Sequence, residues 1–249
     1  MFNIVIPARF GSTRLPGKPL LEIGGKPMVW WVWRQACAAG AQAVVVATDD
    51  ARIADVMSAS GADVAMTASE HLSGTDRLAE VVQQRGWDEG SVVVNVQGDE
   101  PLMPVANIQQ VAKELIQHPE ASIATLSEPL TSAEQIGDPS VVKVVASASG
   151  NALYFSRAAI PFQRDPSDES LQAFMATARR HIGLYAYRCG FLRAFTTWPP
   201  SATEVLESLE QLRALDRGHR IRIVDAVESV PAGVDTPADL ERARRLLVG

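Results

Sequence analysis

"FNIVIPARFGSTRLPGKPL", residues 2–20, joins a short apolar run, 2–6, to a loop that gathers Arg9, Arg14 and Lys18 with Gly11, Gly17, Ser12 and Thr13 and contains no acid. A β-branched run of that length reads as a buried strand. A donor-rich loop directly after a first strand reads as the carboxyl-edge loop of an open α/β sheet, the edge at which such sheets bind ligands. Gly11 and Gly17 let backbone approach a ligand closely. The exposed N–H groups form an anion nest, and the cations add charge-assisted bonds to phosphate. The loop is neither a Walker loop nor G-x-G-x-x-G, so ordinary ATPase and dinucleotide readings lose ground. The alternative is a solvated basic loop; the joint density of charge and glycine weighs against it.

The rest of the chain fits that start. Apolar runs recur at 43–48, 91–96, 121–126, 141–146 and 221–226. Helix-like stretches at 26–39, 51–60 and 75–85 each stop at a glycine, Gly40, Gly61 and Gly86, as C-capped helices do. Alternating strands and helices predict a mostly parallel central sheet flanked by helices on both faces. Residues 141–196 break the alternation with short strands, turns and a polar loop at 163–170, which reads as a smaller mixed-sheet region. A last helix is signalled by Thr236 as N-cap, Pro237 at its first position and Asp239 completing a capping box.

Composition narrows the class. The chain has 249 residues, 47% of them apolar, which suits a globular α/β protein of one large domain or two small ones. Its net charge of −6 argues against general nucleic-acid binding. Residues 1–48 nevertheless carry Arg9, Arg14, Lys18, Lys26 and Arg34 against the single acid Glu22, which suggests a small anionic ligand near the N-terminus. No apolar run reaches the roughly 18 residues of a membrane span. The opening "MFNIVIPARF" has no basic region or cleavage site of a signal peptide, and Cys37 and Cys189 make no metal-ligand cluster. The expectation is a cytoplasmic protein.

Four further stretches carry chemistry. "VVVNVQGDEP" (92–101) ends a strand in Gln97, Gly98, Asp99 and Glu100. A carboxylate facing the same crevice as a phosphate is satisfied by an intervening Mg²⁺, which takes oxygen ligands from both; Asp99 is the candidate, against a plain surface turn. Asp235, just before the last helix, favours that helix electrostatically in any case, and joins the metal only if the fold brings it beside Asp99. "HLSGTDR" (71–77) offers Ser73, Gly74 and Thr75 to a base edge, or a plain N-cap. Arg157 stands among aromatics in "LYFSRAAIPF", and His181 before an expected strand. Glu207, Glu210 and Gln211 are spaced to share one helical face, which taken alone reads as a solvated surface.

These motifs occur together in one order. "IPARFGSTRLPGKPL", "ATDD", "SGTDR", "NVQGDEP", "VKVV", "ALYFSRAAIPF", "RHIGLYAYR", "LEQLR" and "GVDTPADLE" resemble the 3-deoxy-manno-octulosonate cytidylyltransferases over residues 2 to about 246. The resemblance implies a Rossmann-like nucleotidyltransferase fold in one domain: a nucleotide-binding part at about 1–130, a sugar-binding and dimerisation part at about 131–225, and a metal-ligand segment with the last helix at 226–249. It implies a homodimer that takes CTP, Mg²⁺ and the sugar acid Kdo, and binds neither nucleic acid nor membrane. It assigns Ala8, Arg9, Gly11, Ser12, Arg14, Lys18, Ser73, Gly74, Thr75 and Arg77 to the nucleotide, and Gln97, Arg157, His181, Tyr185, Glu210 and Gln211 to the sugar. Asp99 and Asp235 match the metal-binding acids, and with Lys18 form the catalytic set. The chain departs from many relatives in having Phe10, which keeps the ring of a tyrosine and loses its hydroxyl.

In the implied reaction the anomeric 2-hydroxyl of Kdo attacks the α-phosphorus of CTP, giving CMP-Kdo and pyrophosphate. The protein needs no nucleophile, and catalysis is positioning and charge stabilisation. One Mg²⁺ orients the triphosphate; a second, in the two-metal manner, can bind the attacking hydroxyl. The rival substrates are 8-amino-Kdo and a sialic-acid-like sugar. A non-catalytic nucleotide-binding module is the rival of another class, and retention of both Asp99 and Asp235 speaks against it.

Overall fold

Apolar runs with β-branched side chains become the strands of one sheet. The computed structural model describes residues 1–11, 15–71, 73–165 and 167–248. Its first half is β1 (Phe2–Pro7), a hairpin of β2 (Glu22–Ile23) and β3 (Lys26–Pro27), α1 (Met28–Ala38), β4 (Val44–Thr48), α2 (Ala51–Ala59), β5 (Asp63–Met66), α3 (Gly74–Gln84), β6 (Val92–Asn95), α4 (Val105–Gln117) and β7 (Ile123–Pro129). The second half is α5 (Glu134–Gly137), β8 (Lys143–Ala146), β9 (Ala152–Ser156), α6 (Asp168–Thr177), β10 (Arg179–Arg188), α7 (Cys189–Phe195), α8 (Ala202–Glu207), α9 (Gln211–Asp216), β11 (Ile221–Asp225) and α10 (Pro237–Val248).

The main sheet has the order β11-β7-β10-β6-β1-β4-β5. β1 pairs in parallel with both β4 and β6, β4 with β5, and β7 with β11, while β10 runs antiparallel between β6 and β7. Successive side chains alternate between two cores: Ile4, Ile6 and Val94 pack with α1, α2 and α4, and Val5, Val45 and Val93 pack with α3 and α7. The chain leaves β1 towards β5 at one edge and returns to β6 on the other side of β1. That reversal opens a crevice beyond the carboxyl ends of β1 and β6.

The mixed region hangs on β10. Its register shifts between Ile182 and Tyr185. After the shift β10 lies between β7 and β6; before it, Arg179 and Arg180 pair with β7 on one side and β8 on the other, and β9 continues from β8.

Three expectations need correction. The helix expected from residue 26 starts at Met28, because Lys26 and Pro27 pair with Ile23 and Glu22. His181 lies within β10 rather than before a strand. The segment holding Glu207, Glu210 and Gln211 is not one helix: α8 ends at Glu207, Ser208 takes the left-handed conformation at φ 51°, and α9 begins at Gln211. The last helix is capped as its sequence predicts, with Thr236 Oγ1 accepting from Asp239 N–H and Asp239 accepting from Thr236 N–H.

Candidate active site

A cleft of about 410 Å³ opens at the β1–β6 crevice, with Ala8, Arg9 and Gly11 from the loop after β1 and Gln97, Gly98 and Asp99 from the loop after β6 on its walls. The chain comes close to itself there. A Cβ on Gly98 would lie 2.7 Å from the Pro7 carbonyl oxygen, so only glycine lets the two strand ends approach. Ser73, Gly74 and Arg77 bring the start of α3 to the same cleft, with His71, Lys18 and Asp235.

The centre of the cleft is a three-residue contact. Lys18 Nζ donates to Asp99 Oδ2 at 2.7 Å and to Asp235 Oδ1 at 3.0 Å. The two acids lie 136 positions apart in sequence and meet on one ammonium group. The Lys18 side chain is 12% exposed. Burial alone pushes its pKa down, but the charge of Asp99 and the hydrogen bonds to both acids outweigh this and hold it above the ordinary lysine value. Two converging carboxylates are hard oxygen donors suited to Mg²⁺, which takes its other ligands from phosphate and water. Among the described residues no group of three or more His, Cys, Asp or Glu is placed to hold a metal ion.

Behind Asp99, the Glu100 carboxyl is buried and its Oε2 makes no hydrogen bond. Burial, aided by Asp99 and Asp235 and opposed by Arg180, pushes its pKa up to about 8. Sequence reasoning gave this residue no role, because its neighbours alone do not reveal which way it points.

α3 carries two tasks. Ser73 caps it: its hydroxyl accepts from Asp76 N–H at 3.1 Å, and Asp76 accepts from Ser73 N–H at 3.1 Å. Both the cap and the cleft position expected of Ser73 are therefore met. Arg77, 3% exposed, turns inward and donates to Asp49 at 2.9 Å and to the Thr67 hydroxyl. Its guanidinium ties α3 to the ends of β4 and β5, a purpose for the "ATDD" stretch. His71, also on the cleft wall, contacts Glu80 at 2.5 Å and was not singled out from sequence. Ser12 and Arg14 lie outside the described residues.

The sugar candidates divide. Gln97 is in the main cleft. Tyr185, Glu210 and Gln211 line a smaller cavity of about 40 Å³ with Tyr187 and Phe195. Thr75, buried rather than on the cleft wall, donates to Glu210 Oε2 at 2.7 Å and joins the two regions. Burial raises the Glu210 pKa, against hydrogen bonds from Thr75 and Ser73 that lower it.

Arg157 and His181 are not brought to the main cleft. Arg157 donates from Nε to Glu207 O at 2.7 Å, from Nη1 to Pro139 O at 2.8 Å and from Nη2 to Ser208 O at 3.3 Å. It clamps the bend between α8 and α9. His181 lies edge-on to Phe155 and beside Tyr185. Burial, with Arg180 nearby, lowers its pKa to about 3. Thr125 Oγ1 is 3.0 Å from His181 Nε2 and 2.9–3.0 Å from the Ile182 and Leu184 carbonyls. The hydroxyl's one proton goes to a carbonyl, so it accepts from Nε2–H and fixes a neutral tautomer.

A cleft at the sheet's switch point, lined by cations and a pair of acids, fits a nucleotidyl-transferring enzyme, and the chain belongs to the cytidylyltransferase family, whose model matches residues 3–221. Within that family it falls with the 3-deoxy-manno-octulosonate cytidylyltransferases. It is 55% identical to the one from Pseudomonas syringae pv. syringae (strain B728a), over 100% of this chain and 98% of that protein. It is 53% identical to the one from Idiomarina loihiensis (strain ATCC BAA-735 / DSM 15497 / L2-TR), over 98% of each. In three dimensions it matches CMP:2-keto-3-deoxy-manno-octonic acid synthetase, solved in complex with CTP, with a TM-score of 0.90 at 42% identity over 99% of this chain and 98% of that one. A cytidylyltransferase from Leptospira borgpetersenii serovar Hardjo-bovis shares the fold at 17% identity, with a TM-score of 0.62 over 98% of this chain and 84% of that one.

Proposed function

We propose that this enzyme transfers CMP from CTP to the anomeric 2-hydroxyl of Kdo, releasing pyrophosphate and activating the sugar for lipopolysaccharide synthesis. The observation that carries the reading is the meeting of Lys18, Asp99 and Asp235 in the cleft beyond β1 and β6. Arg9 and Lys18 offset the charge of the triphosphate, and the start of α3, with Ser73 and Gly74, presents short side chains and backbone to the base. No side chain of the protein need form a covalent bond. Its residues hold two anionic substrates together and stabilise charge as the sugar oxygen approaches phosphorus.

Mg²⁺ is the cofactor of this reading, held by Asp99 and Asp235; when bound it neutralises triphosphate charge and polarises the α-phosphate. A homodimer and a cytoplasmic location complete the proposal. Leu153 on β9, Phe162 after it, and Val205 and Leu206 on α8 are 61%, 86%, 66% and 85% exposed, apolar side chains that a second copy would cover. No helix among the described residues is long and apolar enough to cross a membrane, and the nucleotide substrate is a cytoplasmic metabolite.

Pyrophosphate release tests the reading. Release should require CTP and Kdo together, fall by at least about a hundredfold with ATP, and disappear in Asp99→Asn while circular dichroism stays unchanged. Equal turnover with ATP, or full activity in Asp99→Asn, would contradict it.

A further inference from the structure

We propose that Lys18 is the resident counter-cation of the Asp99–Asp235 pair, and that a divalent cation must displace its ammonium group to bind there. The proposal rests on the reading of that pair as the Mg²⁺ site. One Nζ atom makes both contacts, at 2.7 and 3.0 Å. Mg²⁺ draws carboxylate oxygens to about 2.0–2.1 Å and Mn²⁺ occupies similar oxygen sites. A metal between these acids claims the oxygens that now accept from Lys18, and two cations at contact distance repel. The lysine and the metal are therefore competitors for one place.

The backbone at Lys18 is held by local hydrogen bonds, and only the Nζ end of its side chain ties it to the acids. Lys18 N–H donates to Leu15 O and Leu21 N–H donates to Lys18 O, both at 3.1 Å. Gly17 sits at φ 67° before it, and Pro19 follows within the short 3₁₀ turn Lys18–Leu20. Displacement thus falls on the four-carbon stem, which can place its charge over a range of positions. Lys18 already lines the cleft assigned to the triphosphate. Swung away from the acids, its ammonium gains a phosphate partner there only when nucleotide is present. A bare metal ion breaks two ion pairs with no replacement; a metal arriving with nucleotide lets Lys18 exchange one anion for another. Metal and nucleotide then favour each other's binding, and linkage makes the effect reciprocal. The same side chain guards the acid pair in the empty enzyme and serves the phosphates in the loaded one.

The test is a titration of the nucleotide-free protein with Mn²⁺, read by the loss of the free-ion electron paramagnetic resonance signal. Lys18→Met should bind Mn²⁺ about tenfold more tightly than the unaltered protein, within the usual range of couplings between sites. Lys18→Gln repeats the measurement should Met disturb folding, and Lys18→Arg, which keeps the charge, should stay close to the unaltered protein. Adding Asp99→Asn to Lys18→Met should abolish the gain. Equal or weaker affinity in both neutral variants would overturn the displacement while leaving the metal site standing. No Mn²⁺ bound by either neutral variant would overturn the displacement, and none bound by the unaltered protein with CTP added would refute the metal site itself.

Discussion

Thr75 Oγ1 donates to Glu210 Oε2 across 2.7 Å, so the helix that begins at the nucleotide cleft holds an acid of the smaller cavity. The bond couples the main cleft to that cavity, which the proposed reading gives to Kdo. Glu210 is largely buried and its pKa is raised by that burial, while the Thr75 and Ser73 hydroxyls favour its charged form.

Replacing Thr75 by Val keeps the shape and removes the donor. A hydrogen bond to a charged group contributes about 1.5–3 kcal/mol, so the Kdo Michaelis constant should rise by roughly 10- to 150-fold. CTP saturation should change little, because Thr75 is not on the wall of the main cleft. A variant that lost CTP binding and kept Kdo saturation would return Thr75 to the nucleotide.

Arg157 reaches the neighbourhood of Glu210 and Gln211 through the backbone. Its guanidinium holds the Glu207 and Ser208 carbonyls at a bend where Ser208 takes a left-handed conformation. Such a conformation costs a non-glycine residue about 1–2 kcal/mol. Arg157→Ala should loosen the bend and raise the Kdo constant through displacement of Glu210 and Gln211, with CTP saturation intact. Adding Ser208→Gly, which takes the bend without strain, should recover part of the loss. Separate CTP and Kdo titrations of both proteins decide this. No recovery in the double variant would point to direct contact between Arg157 and substrate.

The strand ends at the cleft also set stability. Gly98→Ala forces a Cβ to within 2.7 Å of the Pro7 oxygen. Overpacking of this kind costs about 1–3 kcal/mol, or roughly 2–12 °C in melting temperature for a domain of this size. Gly11→Ala, whose Cβ meets nothing within 4 Å, is the control and should melt with the unaltered protein. Equal melting of both variants would show that the two strand ends have room to part.

Strands such as Phe2–Pro7 and Val92–Asn95 were legible because apolar runs report burial, and helix ends because Gly40, Gly61 and Gly86 all take positive φ. The placement of Asp99 was legible from its position after a strand. Its meeting with Asp235 on Lys18 was legible only through the family resemblance, since contacts 81 and 217 positions apart leave no local trace. The break at Ser208 escaped because its conformation is imposed by contacts such as those of Arg157, and no glycine or proline marks it. The neutral state of His181 escaped for the same reason: its charge is set by burial against Phe155 and Tyr185 and by Arg180, which the fold supplies.

His181 gives a pH dependence with a definite sign. Its pKa falls from 6.5 to about 3 on folding, so between those values the unfolded chain binds more protons than the native one. This contribution to stability is complete above about pH 6.5 and is lost as pH falls towards 3, by at most about 1.4 kcal/mol per pH unit. His181→Gln, neutral throughout, should lose stability less steeply over that window. Parallel denaturation curves for the two proteins from pH 7 down to pH 4 would show that His181 is already protonated in the native state.

The central claim is a direct displacement at the α-phosphorus of CTP by the sugar hydroxyl, with no covalent bond to the protein. The measurement closest to it uses CTP made chiral by sulfur at the α-phosphorus, with Kdo as acceptor, and determines the configuration at phosphorus in the product. One in-line displacement inverts that centre, so the account predicts a sugar-linked thiophosphate diester of inverted configuration, with pyrophosphate released. Retention of configuration would reveal two displacements through a covalent enzyme intermediate and would contradict it.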